Sequence, residues 1–362
     1  MGENPLIEGL DSLLEGSGQP GLTELGSVLY ELLGGSEAAG RLVDQHTLKS
    51  RVARVYRLRF EINGRVRSLV IKRLDPDIAQ RNLFVTLRWL PAIGLSQSGP
   101  PLLGAAAERS GQCVWHFYED LGDWTLDPSD LDPGRVKAAV ELIAQLHTRF
   151  AGHPLLAECR LYGGDLGMYF YASNVRDAIR GLESLRPSDV ELSSERLAVR
   201  ERLLERMYQL LDEQPYRAHM LAELGGPETL LHGDLWTTNM FVLSTAHGLH
   251  ARLIDWDHAA VGQASYDLST FLLRFALHHR LWVLDVYCEF MEHLGWHLPS
   301  AQDLNLLFET AECARYANRA IWPAIAVLQD RAEWGFDELA AVDHWFELLE
   351  PVLPISKRDS KP

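Results

Sequence analysis

Leu230-Leu231-His232-Gly233-Asp234-Leu235-Trp236-Thr237-Thr238-Asn239-Met240-Phe241-Val242, followed shortly by Leu253-Ile254-Asp255-Trp256-Asp257, is the stretch on which the fold turns. It sets two acids and an amide, Asp234, Asn239 and Asp255, on short turns beside apolar runs. Met240 to Leu243 reads as one strand, Leu249 to Ile254 as another, and Ser244 to Gly248 as the turn between them. Such a hairpin brings Asn239 and Asp255 to the same edge.

These residue types in this order suit phosphoryl transfer. That reaction asks for a hydroxyl held in line, a carboxylate to receive its proton, and metal ions to neutralise the phosphate oxygens. Asp234 is the candidate base. Asn239, five residues later, offers an amide oxygen, and Asp255 at a strand end offers a carboxylate; both suit magnesium, a hard cation that prefers oxygen. The amide adds no second negative charge beside the base.

His232-Gly233-Asp234, then Asn239, then Ile254-Asp255-Trp256 resembles the catalytic segment of the aminoglycoside phosphotransferase-like small-molecule kinases. Gly262 and Tyr266-Asp267-Leu268 follow, as they often do in that family. The resemblance implies an α+β, two-lobed protein-kinase-like fold, with a small antiparallel-sheet N-lobe and a larger, mostly helical C-lobe. It implies ATP and Mg2+ as cofactors, with the γ-phosphate moved to a hydroxyl of a small molecule. His232 is expected to fix the catalytic loop, and Asp267 to cap a helix or brace that loop. Trp236 and Asp257 are candidate acceptor contacts, Trp236 as an aromatic wall for a ring or a cation and Asp257 alternatively as a loop-ordering acid. His-Gly-Asp-Leu-Trp is also similar to the fructosamine kinases, and choline or ethanolamine kinases stay open.

The upstream half of such a site is present. Tyr56, Leu58, Phe60 and Ile62 alternate with Arg57, Arg59 and Glu61, a half-buried strand. Asn63-Gly64 then signals a type I′ hairpin turn. The next strand, Leu69-Val70-Ile71-Lys72, resembles the kinase strand that carries the phosphate-binding lysine. Alternation puts Val70 and Lys72 on one face, Val70 against adenine and Lys72 toward the α- and β-phosphates. Val114 to Tyr118 leads into Glu119-Asp120-Leu121-Gly122 like a last N-lobe strand entering a hinge. The family's hinge binds adenine through the main chain, which implicates the Glu119 carbonyl and the Leu121 amide.

The chain departs from the family pattern in two places. Kinases usually pair the strand lysine with a glutamate on the following helix. Here that helix starts near Asp75-Pro76 and runs to about Trp89, and there is no glutamate from Asp77 to Pro91; Asn82, after Arg81, stands where the acid is expected. Asn82 orients Lys72, or a carboxylate from elsewhere does, or phosphate alone holds it. The loop Lys49-Ser50-Arg51-Val52-Ala53 lacks glycine, leaving Ser50, Arg51 or Arg54 to approach phosphate. The missing glutamate favours a second hypothesis, a nucleotide-binding pseudokinase with a regulatory role; the intact Asp234, Asn239 and Asp255 favour the enzyme.

At 362 residues and 47% hydrophobic, the chain has material for two cores. A net charge of -16 argues against a nucleic-acid surface; it is compatible with a cationic acceptor such as an amino sugar, aminoglycoside or amino alcohol. Cys113, Cys159, Cys288 and Cys313 show no C-x-x-C spacing, as in a reducing cytoplasm. No secretory pattern, membrane-length apolar run or P-loop is evident. The expected organisation is an N-terminal helical extension over 1–40 with a helix Leu22–Leu33, an N-lobe over 41–121, a helical C-lobe over 122–355 and a disordered tail over 356–362. In the C-lobe, helices are expected over Pro133–Phe150, Ser173–Leu185, Ser194–Gln214, Tyr266–His278, Trp282–Leu294, Leu304–Leu328 and Trp334–Leu349, with His147 a structural histidine. The acceptor and the oligomeric state are not readable from these residues.

Overall fold

The computed structural model describes residues 7–10, 12–14, 17–35, 39–48, 54–186, 193–293 and 295–354. They divide into two compact units, one within Met1–Thr125 and Asn239–Asp257, the other within Leu126–Thr238 and His258–Pro362. The expected glycine-free loop at 49–53 and the tail at 356–362 lie outside the described residues.

The first unit is built on a six-stranded sheet in the order β1-β2-β3-β4-β6-β5, from Ile7–Glu8, Gly40–Thr47, Val55–Ile62, Arg65–Leu74, Val114–Glu119 and Leu102–Ala107 respectively. Only β1–β2 is parallel; the other pairs run antiparallel. The β3–β4 turn is the Asn63-Gly64 pair at φ 50 and 73, the positive values a type I′ turn needs. Alternation gives this sheet two unlike faces. Leu58, Phe60, Leu69, Ile71, Trp115 and Phe117 point into a core that also takes Leu25, Leu29 and Leu33 of α1 (Leu22–Leu33). That helix stops where Gly34 takes φ 121, a conformation that suits glycine.

After β4 come α2 (Pro76–Phe84), a wider π-helical stretch at Val85–Trp89, and the short turn α3 (Leu90–Ala92). Pro76 opens α2, where its missing N–H costs nothing. The hairpin β8–β9 (Met240–Thr245, Gly248–Leu253) joins this unit from far along the chain. It is fastened by the Val242 N–H to the Trp124 carbonyl at 3.0 Å and the Leu253 N–H to the Ser98 carbonyl at 2.8 Å. The turn expected over Ser244 to Gly248 is shorter, because Ser244 pairs with Leu249 and Thr245 with Gly248.

The second unit is helical around one small two-stranded sheet. Its helices are α4 (Pro133–Phe150), α5 (Leu156–Gly163), α6 (Met168–Ser184), α7 (Ser194–Leu224), α8 (Ser265–Leu272), α9 (Leu277–His293), α10 (Ala301–Asp330) and α11 (Trp334–Glu347). The strands β7 (Glu228–Leu231) and β10 (Ala260–Gln263) run antiparallel. The main core packs α6, α7, α10 and α11 through residues such as Val175, Leu203, Met207, Ala317, Val327 and Val342. Several helices differ from expectation: α5 is not among those expected, and α6 and α9 begin at Met168 and Leu277 instead of Ser173 and Trp282. α7 continues through Pro215 to Leu224; its buried Arg217 pairs with Glu213 one turn earlier at 2.7 Å and ties the helix to Glu309 of α10 at 2.6 Å. The helix expected over Tyr266–His278 ends at Leu272, where tight turns return Arg274 N–H to the Phe271 carbonyl and Phe275 N–H to the Leu272 carbonyl. Among the described residues, no helix is long and apolar enough to cross a membrane.

Candidate active site

In the first unit, Lys72 and Val70 lie on the β4 face opposite the α1 core, paired across to His116 and Tyr118 of β6. Lys72 Nζ is ion-paired with the Asp255 carboxylate and lies 2.6 Å from Asp257 Oδ1. Both acids lie just past the end of β9, which the hairpin delivers to this face. Asp255 takes φ 66, a left-handed conformation that costs an L residue about 1–3 kcal/mol and is held by its surroundings. The Ile254 N–H bonds the Asn239 carbonyl at 3.0 Å, so Asn239 and Asp255 sit at one end of the hairpin.

The helix after β4 supports this arrangement without a glutamate. Asn82, 3% exposed, donates from Nδ2 to the Ile78 carbonyl and to Asp257 Oδ1, each at 3.0 Å. Arg81 donates to the Asp257 carbonyl. Of the alternatives left open for Lys72, the structure shows carboxylates from elsewhere in the chain, with Asn82 contacting one of them. Asp257 therefore faces the lysine. Arg54 lies 3.5 Å from Asp75.

Two further polar residues of this face were not singled out in the sequence, although alternation along Val114–Tyr118 would have grouped them. His116 Nδ1 lies 2.9 Å from the Tyr118 hydroxyl, and both are buried. Burial, reinforced by the Lys72 charge and only partly offset by Asp257, lowers the His116 pKa to about 4, so the ring is neutral at pH 7. Burial and the charges of Asp257 and Asp255 push the Tyr118 phenol far up. Glu119 closes β6 opposite Leu69. Leu121 lies in the turn that follows, which is organised by Asp120. Its carboxylate accepts from Ser68 Oγ at 2.5 Å and from the Gly122 N–H at 3.0 Å, and lies 3.0 Å from Arg57 Nε. Arg57 also donates to the Gly122 carbonyl at 3.2 Å.

In the second unit, Asp234 is partly buried on the loop after β7. The fully buried Asp267 of α8 braces that loop: its carboxylate accepts from the His232 N–H at 2.7 Å and the Gly233 N–H at 2.9 Å. The Asp234 N–H in turn donates to His232 Nδ1 at 3.3 Å. Burial alone would raise the Asp267 pKa, but the hydrogen bond from His147 and the charges of His147 and His232 hold it below the usual carboxylate range. His147 Nε2 lies 3.4 Å from Asp267, its Nδ1 lies 2.9 Å from the Tyr287 hydroxyl, and its carbonyl accepts from Thr229 at 2.7 Å. Gly233 is required: its φ is 81, and a Cβ there would meet the His258 carbonyl oxygen at 2.0 Å. Trp236 is 40% exposed, and the Arg274 guanidinium stacks 4.0 Å from its ring centroid. One face expected to receive a ligand cation thus already carries one from the protein.

Among the described residues, no group of three or more His, Cys, Asp and Glu side chains converges as a metal cage. What the hairpin does gather at one end, an Asn239 amide and an Asp255 carboxylate, is an all-oxygen donor pair. That pair fits magnesium, which keeps several waters and takes its remaining ligands from phosphate.

Comparison with known proteins settles the class. A model of the phosphotransferase enzyme family known as APH matches residues 53–293. The chain belongs to that family. No curated protein matches its sequence. Among solved structures it is similar in fold to the ethanolamine kinase of Plasmodium vivax, with a TM-score of 0.54 at 12% identity over 84% of this chain and 81% of that one. Similar too are the choline kinase of Streptococcus pneumoniae, with a TM-score of 0.52 at 12% identity over 90% and 99%, and a spectinomycin phosphotransferase solved with ADP and spectinomycin, with a TM-score of 0.55 at 13% identity over 90% and 95%. This member of the APH family is thus a small-molecule kinase with an α+β, protein-kinase-like fold, acting on hydroxyl groups.

Proposed function

We propose that this family member transfers the γ-phosphoryl group of ATP, with magnesium, to a hydroxyl group of a small molecule such as an amino sugar, an aminoglycoside or an amino alcohol. The observation that carries the reading is the ion pair between Lys72 and Asp255. It brings the lysine of a strand-borne phosphate site beside the acid of the Ile-Asp-Trp segment, close enough for one to hold phosphate and the other the magnesium bound to it.

In this reading Lys72 binds the α- and β-phosphates and Val70 packs beside adenine, whose edge meets the Glu119 carbonyl and the Leu121 amide. Asn239 and Asp255 would hold magnesium, which supplies charge neutralisation on the phosphates. Asp234 accepts the acceptor's hydroxyl proton, a role supported by a loop that Asp267 fixes through two main-chain N–H groups. Preorganising the base in this way removes the cost of orienting it during reaction. His232 shapes the same loop. The free cysteines, three of them buried, support a cytoplasmic setting.

The test is transfer of labelled γ-phosphate from ATP to a panel of hydroxylated amines and sugars, read by mass. Wild type is expected to label one acceptor class, and Asp234→Ala to lose at least about a thousandfold in kcat while still binding Mg-ATP. An Asp234→Ala protein that retained near-full turnover would remove Asp234 from the role of base.

A further inference from the structure

We propose that Asp257 is the positioning residue for Lys72, replacing the helix glutamate this chain lacks, and that Asn82 is the neutral partner such a relocated carboxylate requires. The inference rests on the nucleotide-transfer reading above. It deepens that reading by assigning a residue whose role the family pattern does not supply.

Three observations carry it. The Lys72 ammonium is largely buried, with 13% of its side chain exposed, and it faces two carboxylates, Asp255 and Asp257. If Asp255 is committed to magnesium, Asp257 at 2.6 Å is the carboxylate left to orient the lysine toward the phosphates. Second, Asn82 uses one amide hydrogen on the Ile78 carbonyl of its own helix and the other on Asp257 Oδ1, both at 3.0 Å. The helix thereby fixes the amide, and the amide fixes the acid. Third, Arg81 anchors the Asp257 main chain through its carbonyl. The two residues standing where an Arg-Glu pair is expected thus both serve Asp257. A glutamate at position 82 would set a second negative charge against Asp257 in a partly desolvated site, where like charges strongly disfavour one another. Asparagine at position 82 and aspartate at position 257 therefore act as one unit: the acid lies in the turn past strand β9, and helix α2 presents it a donor where a glutamate is expected.

The experiment measures Mg-ATP and adenosine affinity by calorimetry for wild type, Asp257→Asn, Asn82→Glu and the double variant. Asp257→Asn is expected to weaken Mg-ATP by about tenfold or more, the worth of a hydrogen bond to a charged group, while adenosine, which has no phosphate, binds as in wild type. Asn82→Glu alone is expected to weaken Mg-ATP through repulsion. The double variant returns the acid to the helix and is expected to recover most of the loss. Unchanged Mg-ATP affinity in Asp257→Asn, equal loss for ATP and adenosine, or a double variant as weak as the worse single one each overturns the assignment. Should Asp257→Asn not fold, Asn82→Ala reads the same contact: a loss confined to Mg-ATP supports the proposal, and no loss overturns it. A wild type that binds no Mg-ATP overturns the proposed function itself, and this inference with it, whereas tight wild-type binding with an indifferent Asp257→Asn overturns the inference alone.

Discussion

Asp257 Oδ1 lies 2.6 Å from Lys72 Nζ although 185 residues separate them along the chain. The contact exists because the hairpin Met240–Leu253 is fastened by main-chain bonds to Ser98 and Trp124, which brings its far end to the polar face of the N-terminal sheet. A carboxylate pair on a buried ammonium is demanding electrostatically, since removing one partner leaves the others incompletely compensated. That sensitivity makes the site accessible to mutation.

Asp255→Asn separates the two duties assigned to Asp255. ADP affinity in the presence of magnesium is expected to fall by at least about tenfold, as for lost metal-site groups, whereas ADP affinity in excess chelator should change little. Titration calorimetry with and without magnesium measures both. An equal loss in the two conditions would mean that Asp255 acts through Lys72 and not through the metal.

Gly233→Ala tests the loop that carries Asp234. The substitution forces a Cβ onto a residue at φ 81 and to 2.0 Å from a backbone oxygen that cannot swing away. Strain and displacement together should cost more than about 2 kcal/mol in a urea melt. Turnover should fall with it; a fully stable, fully active Gly233→Ala protein would show that the backbone can relax there.

Asp267→Asn removes the acid that braces His232 and Gly233. Because the Asp267 pKa is held below its ordinary value, the unfolded chain takes up a proton at higher pH than the folded one does. The carboxylate's contribution is therefore fully present above the ordinary carboxylate pKa and is lost as pH falls through the depressed folded value. The variant should lose roughly 3 kcal/mol near neutral pH, as expected for breaking a buried charged pair, and its stability should fall less steeply in acid. Chemical denaturation across pH 3 to pH 7, about the range in which carboxylates titrate, reads both effects.

His116 provides a second pH window. Its pKa falls from 6.5 to about 4 on folding, so the folded protein resists a proton that the unfolded chain accepts. Stability should be unaffected by this group above pH 6.5 and should decline as pH falls toward 4, by roughly 3 kcal/mol in all. His116→Gln should flatten that decline. If the slopes of wild type and variant are the same between these limits, the ring is not buried in neutral form.

Local pattern made much of the fold legible. Period-two alternation located β3, Asn63-Gly64 marked the turn after it, resemblance to a lysine-bearing kinase strand located β4, the apolar run before Glu119 located β6, and helical spacing with Pro133 and Phe150 at the ends outlined α4. Strands β2 and β5 were not legible. Gly40–Thr47 carries mostly exposed side chains, and Leu102–Ala107 carries small ones, so neither shows a strong apolar period. The helix α7 ran past its expected end because contacts of Arg217, to Glu213 one turn earlier and to Glu309 of α10, outweighed the breaking tendency of Pro215.

From the one-dimensional string come the reaction class, the candidates Asp234, Asn239, Asp255 and Lys72, and the absence of a helix glutamate, because each depends on residue type and short-range spacing. Which groups surround Lys72 was decided by folding alone. Asp257 is two residues from Asp255 in a segment where alternation cannot say which way a side chain turns; the left-handed backbone at Asp255, the hydrogen bonds from Asn82 and Arg81, and the docking of a distant hairpin set its direction. A charge pair is a matter of distance in space, and no local pattern in a chain encodes a distance spanning 185 residues.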